Sequence, residues 1–155
     1  NTEALIAGID HAAGRATRGD VVNLSLAASG TSKVVETAIA RLADLGVSVV
    51  VAAGNAARDA GEFTPAGIEH PGVYTVSAID QDDCLATFSN HGTVVDLAAP
   101  GRDILTLRPG GGVVVVDGTS FAAPHVAGLL LAGRLSSDGT LCGDLDEFAE
   151  PIAHN

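Results

Sequence analysis

Long apolar runs, lysine, cysteine and internal repeats are all scarce in this chain, and each scarcity closes off a class of protein. No apolar stretch among the 155 residues approaches the roughly 18 needed for a membrane-spanning helix. Nineteen acidic residues stand against eight basic ones, only one of them a lysine (Lys33), for a net charge of −11. Such a surface repels nucleic acid and anionic lipid, so neither a nucleic acid nor a membrane is an expected partner. Two cysteines, Cys84 and Cys142, are too few for a disulfide framework or a four-ligand zinc site. They read as one disulfide or two free thiols, with free thiols the favoured expectation. No Gly-x-Gly-x-x-Gly follows a strand pattern, and Gly110-Gly111-Gly112 lacks the Lys-Ser/Thr of a phosphate loop, which argues against a nucleotide-binding module. The opening Asn1-Thr2-Glu3 is neither basic nor followed by a signal-type apolar block. It falls within a helical pattern, and the expectation is a piece of a longer chain.

What is present describes a folded globular unit. The hydrophobic fraction is 46% and the charged fraction 17%, which argues against disorder. The length allows one domain or part of one. Leu5, Ile9 and Ala12 fall on one face of a helix over residues 2–13, the i, i+4, i+7 spacing of a packed helix. Residues 21–26 read as a strand. Ser32 is placed as the N-cap of a helix running through Leu45 that turns Val35, Ile39 and Leu42 inward, with Gly46 as its stop. The run from Val47 to Ala53 is apolar nearly throughout, as in a parallel strand covered on both faces. A further strand is expected over Val73–Ile79. Strands alternating with helices imply a parallel sheet flanked by helices.

The second half changes character. Ile104–Arg108 and Val113–Val116 flank Pro109-Gly110-Gly111-Gly112 and read as a β-hairpin. An apolar helix follows from Ser120 to Gly133, with Pro124 placed in its first turn, where N–H groups lack helical partners anyway. The acidic tail from Ser136 to Asn155 is expected to wrap the surface.

Ligands of open parallel sheets bind outside the carboxyl ends of the strands. Ser25 and Asn55 fall at two of those ends, and Ser120 falls where an extended segment meets a helix start. There, free N–H groups and the helix's positive end favour a developing oxyanion, and an asparagine amide would add a second donor. A nucleophile with oxyanion donors is half of an acyl-transfer site.

These residues carry a resemblance. Gly118-Thr119-Ser120-Phe121-Ala122-Ala123-Pro124-His125-Val126-Ala127-Gly128 resembles the serine motif of subtilases, the subtilisin-like serine proteases (peptidase family S8). Ala52-Ala53-Gly54-Asn55 is similar to that family's oxyanion-asparagine motif. Phe88-Ser89-Asn90 and Asp96-Leu97-Ala98-Ala99-Pro100-Gly101 match the stretch between them, and Val22-Asn23-Leu24-Ser25-Leu26 resembles the strand lining the substrate cleft. Agreement runs over residues 4–134 in the family's order. The resemblance implies an α/β, subtilisin-like three-layer fold, of which residues 1–155 are the C-terminal portion.

It also implies roles. Ser120 would be the nucleophile of a serine endopeptidase acting on polypeptides, with Asn55 and the Ser120 N–H as oxyanion hole. Ser25-Leu26-Ala27 and Ala52-Ala53-Gly54 would form the walls of the primary specificity pocket. Small residues on both walls suggest a pocket open to large apolar side chains. Ala27-Ala28 stands where glycines are usual in the family, and Phe121 where methionine is common. Thr64-Pro65 falls where the family often has a cis bond. No cofactor is implied for the chemistry, and no metal ligand is assigned. Asp96 matches a position that helps some relatives bind a weak calcium ion, so calcium is an expected structural ion at most. Most subtilases are exported, which implies an extracellular enzyme.

In this family the triad runs Asp, His, Ser along the chain, so the acid and base would lie in a preceding portion, the expected intramolecular partner. In subtilisin, the family's type member, losing the base costs about 10⁶ in rate. The 155 residues alone are therefore expected to be inactive, and prone to self-association through exposed sheet edge and apolar surface. A non-catalytic truncated or degenerate subtilase, acting as a binding or structural module, is the alternative. His91-Gly92-Thr93 imitates a catalytic histidine motif but sits in the linking stretch. His125 lies roughly 140° round the helix from Ser120 and reads as a packed helix residue. His11, His70 and His154 read as surface residues, and Asp117 as a turn residue.

Overall fold

A computed structural model describes residues 2–139, 141–143 and 150–154. Helix α1 (Thr2–Ala13) leads to strand β1 (Val21–Leu24) and the short β2 (Ala28–Ser29). Helix α2 (Lys33–Asp44) precedes β3 (Ser48–Ala52), and β4 (Phe63–Thr64) precedes β5 (Val73–Ile79). Then come β6 (Leu97–Pro100), β7 (Ile104–Leu107), β8 (Val113–Val116), α3 (Thr119–Leu131), β9 (Ser136–Asp138) and β10 (Ile152–His154). The main sheet has the order β1-β3-β5-β6-β10-β9, parallel except for β9.

Alternation along β3 builds the layers. Val50 and Ala52 join Val76, Ala78, Ala122, Ala123 and Val126 in the core beneath α3. Val49 and Val51 face the other way, into a core with Ile9, Val35, Ile39 and Leu42 from α1 and α2. A strand covered on both faces needs apolar residues at every position, and Val49 to Ala52 are all buried.

Four expectations change, the first only in part. Ser32 holds the N-cap position of α2, yet its side chain makes no capping bond; its own N–H instead donates to Thr64 Oγ1, 3.0 Å away. Pro124 is the sixth residue of α3 rather than part of its first turn. The tail does not simply wrap the surface, because β9 and β10 extend the main sheet. The open edge of β6 carries main-chain groups that need partners, and Ala98 N–H donates to Pro151 O. Within that tail, residues 140, 144–149 and 155 lie outside the described residues. Cys84 and Cys142 form a disulfide, against the leaning to free thiols. The backbone brings them together: Leu85 N–H donates to Cys142 O, and Cys142 N–H to Asp83 O.

Candidate active site

The carboxyl ends of β1 and β3 and the amino end of α3 meet at one place. After β3 the chain turns at Gly54, whose φ is +107° and where an added Cβ would fall 2.4 Å from Asn90 Nδ2. Only glycine fits that contact. Asn90 is fully buried and shapes the turn. Its Nδ2 donates to Ala53 O (2.9 Å), while its Oδ1 accepts the N–H groups of Ala56 (2.9 Å) and Arg58 (3.2 Å). Held in this way, the turn projects Asn55.

Thr119, the first residue of α3, fixes which end of the Asn55 amide faces the site. Its N–H donates to Asn55 Oδ1 at 2.9 Å and its hydroxyl donates to the same oxygen at 3.0 Å. The Thr119 hydroxyl also accepts the buried Gly54 N–H, 3.1 Å away. With Oδ1 occupied by two donors, the Nδ2 end is the one left to point at a ligand. An added Cβ at Gly118 (φ +146°) would lie 3.4 Å from that nitrogen, which places the amide over the first turn of α3. The Ser120 N–H belongs to the same turn, where helical N–H groups have no internal partner. Two donors thus stand beside a serine hydroxyl, an arrangement suited to holding an oxyanion.

Ser120 is half-buried. Its hydroxyl donates to Ser25 O at 3.3 Å, and the Ser25 hydroxyl donates to Ser120 O at 2.7 Å. Ser25, Leu26, Ala27, Ala52, Gly54, Asn55 and Ser120 line one cavity of ≈ 450 Å³, together with Ala56, Phe63 and Thr119. Of the residues expected from sequence, Ala53 alone is not in that lining. It is fully buried in a separate cluster with Ala60, Phe63 and Ala66. Sequence reading missed Thr119, Phe63 and Asn90 as site-building residues. Thr119 and Asn90 lay inside quoted motifs, which was the available signal. Phe63 reaches the cavity through β4, which pairs with β2, a pairing of two-residue strands that no periodicity reveals.

The decoys sort out by geometry. His125 is exposed rather than packed, and its Nδ1–H donates to Phe121 O at 2.8 Å. His70 lies 3.4 Å from Asp44, and His154 2.6 Å from Asp138. His91 is tied by its main chain to Arg58 and Ala60, and His11 is exposed. Asp117 accepts the Asp103 N–H at 2.8 Å, a bond across the open end of the β7–β8 hairpin rather than the local turn contact expected. The Thr64–Pro65 bond is cis.

Asp96 sits apart, in a cleft of ≈ 330 Å³ that Glu69, His70, Tyr74 and Thr93 also line. The packing around its carboxylate pushes the pKa above the usual aspartate value; the Thr75 N–H pulls it back and the nearby Glu69 charge raises it further. That N–H donates to Asp96 Oδ2 at 2.7 Å. Among the described residues no group of three or more His, Cys, Asp or Glu side chains converges as a metal site. Asp96 and Glu69 are the carboxylates of that lining, and oxygen donors of this kind suit a hard cation.

The Subtilase family model matches residues 1–133, and the chain belongs to that family. The whole chain is 40% identical to subtilisin-like protease 4 of Trichophyton equinum, covering 40% of that protein, and 41% identical to a subtilisin-like protease of Coccidioides posadasii, again covering 40%. It overlays the crystal structure of a cold-adapted subtilisin-like serine proteinase with a TM-score of 0.82 and 33% identity, over 99% of this chain and 60% of that one. A protease from Pseudoalteromonas arctica gives 0.76 and 31%, over 86% of this chain and 47% of its own. The chain therefore spans about two fifths of the length of these curated relatives.

Proposed function

We propose that this chain is the nucleophile-bearing portion of a serine endopeptidase, hydrolysing peptide bonds through an acyl-enzyme on Ser120. The observation that carries the reading is the pair of bonds from Thr119 to Asn55 Oδ1, which turns the amide nitrogen towards the first turn of α3. Ser120 Oγ would attack the scissile carbonyl, whose oxygen would take up charge facing Asn55 Nδ2 and the Ser120 N–H. A serine hydroxyl needs a base to be nucleophilic at neutral pH. That base, with the acid that orients it, would come from a portion preceding these residues, so the 155 residues alone would not turn over. β1 stands at an edge of the main sheet, which offers that portion a place to pair.

The cavity would take the side chain before the scissile bond, between Ser25-Leu26-Ala27 and the start of the Gly54 turn. Its lining favours an apolar group, and Phe63 limits the room more than the small walls alone would. The Cys84–Cys142 disulfide supports an exported enzyme, since disulfides persist in oxidising compartments. Calcium at Asp96 and Glu69 would serve as a weak structural ion with no part in the chemistry. The reading is tested by kinetics on the full-length protein with chromogenic peptides. Ser120→Ala should abolish turnover, and Asn55→Leu should lower kcat by about 10²–10³ with KM little changed, a magnitude that is subtilisin's own. Full-length protein with no peptidase activity would favour a binding module instead.

A further inference from the structure

Pro124 leaves a gap in α3 at a particular place. In an α-helix the N–H of residue 124 would donate to the carbonyl of residue 120. Proline has no N–H, and its ring crowds that same carbonyl. The Ser120 carbonyl, on the residue that carries the reacting hydroxyl, is thus the one the helix leaves without its ordinary partner. The Ser25 hydroxyl fills the gap, donating to Ser120 O at 2.7 Å across 95 residues of sequence. That hydroxyl is itself oriented, because Asn23 Nδ2 donates to it at 2.9 Å. In return, the Ser120 hydroxyl donates to Ser25 O at 3.3 Å. Each serine therefore uses its side chain on the other's main chain, and the carboxyl end of β1 is clasped to the first turn of α3.

We infer that Ser25 is a positioning residue for the nucleophile: its hydroxyl replaces the helical N–H that Pro124 removes and so fixes the backbone from which Ser120 attacks. This rests on the reading of Ser120 as nucleophile and goes beyond the pocket-wall role that the family resemblance gives Ser25. The clasp has two consequences. It holds the Ser120 N–H, an oxyanion donor, and the Ser120 hydroxyl in one rigid unit with the strand that lines the cavity. It also gives the resting hydroxyl a long, weak acceptor that is easily surrendered to an incoming base. Lining the cavity affects binding, whereas holding the nucleophile affects the chemical step, so the two roles separate in kinetics.

The test is a cycle of Ser25→Ala, Pro124→Ala and the double variant in the full-length protein. It is read by kcat and KM on a chromogenic peptide and by the rate of fluorophosphonate labelling at Ser120. Ser25→Ala should lower kcat and the labelling rate by about tenfold, the loss of one neutral hydrogen bond, with KM held within about twofold. Pro124→Ala restores an N–H aimed at Ser120 O. In that background the same Ser25 change should cost under about twofold, because the carbonyl already has its partner. Ser25→Thr, which keeps a hydroxyl, should retain most of the wild-type rate. Equal losses in both backgrounds, or a loss confined to KM, would overturn the inference while leaving the nucleophile in place. Wild-type protein that fails to label at Ser120 would instead overturn the reading of the nucleophile itself.

Discussion

Breaking the Cys84–Cys142 disulfide gives a magnitude that follows from chain length. The bridge closes a loop with a sequence separation of 58, which encloses β6, the β7–β8 hairpin, α3 and therefore Ser120. The chain-entropy relation gives about 14 cal/mol/K for a loop of that size, or about 4 kcal/mol at 25 °C. The folded pairing around the two cysteines is held by main-chain hydrogen bonds that do not need the bridge, so reduction should act chiefly through the unfolded chain. Guanidinium unfolding with and without reductant measures it, and Cys84→Ser/Cys142→Ser should reproduce the reduced value. The reduced chain should lose about 4 kcal/mol, with a somewhat steeper denaturant dependence because its unfolded state exposes more surface. A loss under about 1 kcal/mol, in both the reduced protein and the double variant, would refute the reasoning.

Other perturbations act on single contacts. Ile39→Ala empties a fully buried position of α2 and should cost about 2–5 kcal/mol in denaturant unfolding. Thr119→Val strips the Gly54 N–H of its partner, which should cost about 1–3 kcal/mol of stability, and should lower kcat by leaving Asn55 Oδ1 only the main-chain N–H of its two donors. Asp96 holds its proton more tightly folded than unfolded. Its contribution to stability is therefore fullest in acid and is lost as pH rises from the ordinary aspartate value of 3.8 through the raised folded value. Asp96→Asn should gain on wild type across that window in denaturant midpoints taken at successive pH values, and should abolish any stabilisation by added calcium. The 155 residues on their own should associate through the exposed Leu105, Leu107, Val113 and Val115 of the hairpin; a clean monomer by size-exclusion chromatography would count against this.

Much of the frame was legible because long elements announce themselves. Val73–Ile79 is a β-rich run bounded by turn residues, and it forms β5 over the expected range. α2 shows its buried stripe of Val35, Ile39 and Leu42 as a clear helical period. β6 escaped notice because it has four residues and ends in proline, while β10 is three residues placed only by their pairing with β6 and β9. Ser120 and Asn55 were visible as motif residues, but the motifs did not reveal what aims them. That depends on Thr119 and Asn90 bridging separate loops, and a bond spanning 64 residues, like the one from Thr119 to Asn55, leaves no local pattern. The cysteine pairing was hidden for the same reason. Pro124 lies inside α3, and the carbonyl it deprives of an N–H is that of Ser120, four residues back; the partner that replaces it, Ser25, is 95 residues away in sequence and leaves no local pattern.

The most direct test of the central claim is fluorophosphonate labelling, read by intact mass and peptide mapping, on the full-length protein and on the 155-residue chain alone. The account predicts a single adduct at Ser120 in the full-length protein and none in the isolated chain, where the Ser120 hydroxyl is bonded to a main-chain carbonyl and a base is expected only from the preceding portion. Absence of labelling in the full-length protein, or labelling at any other residue, would contradict it.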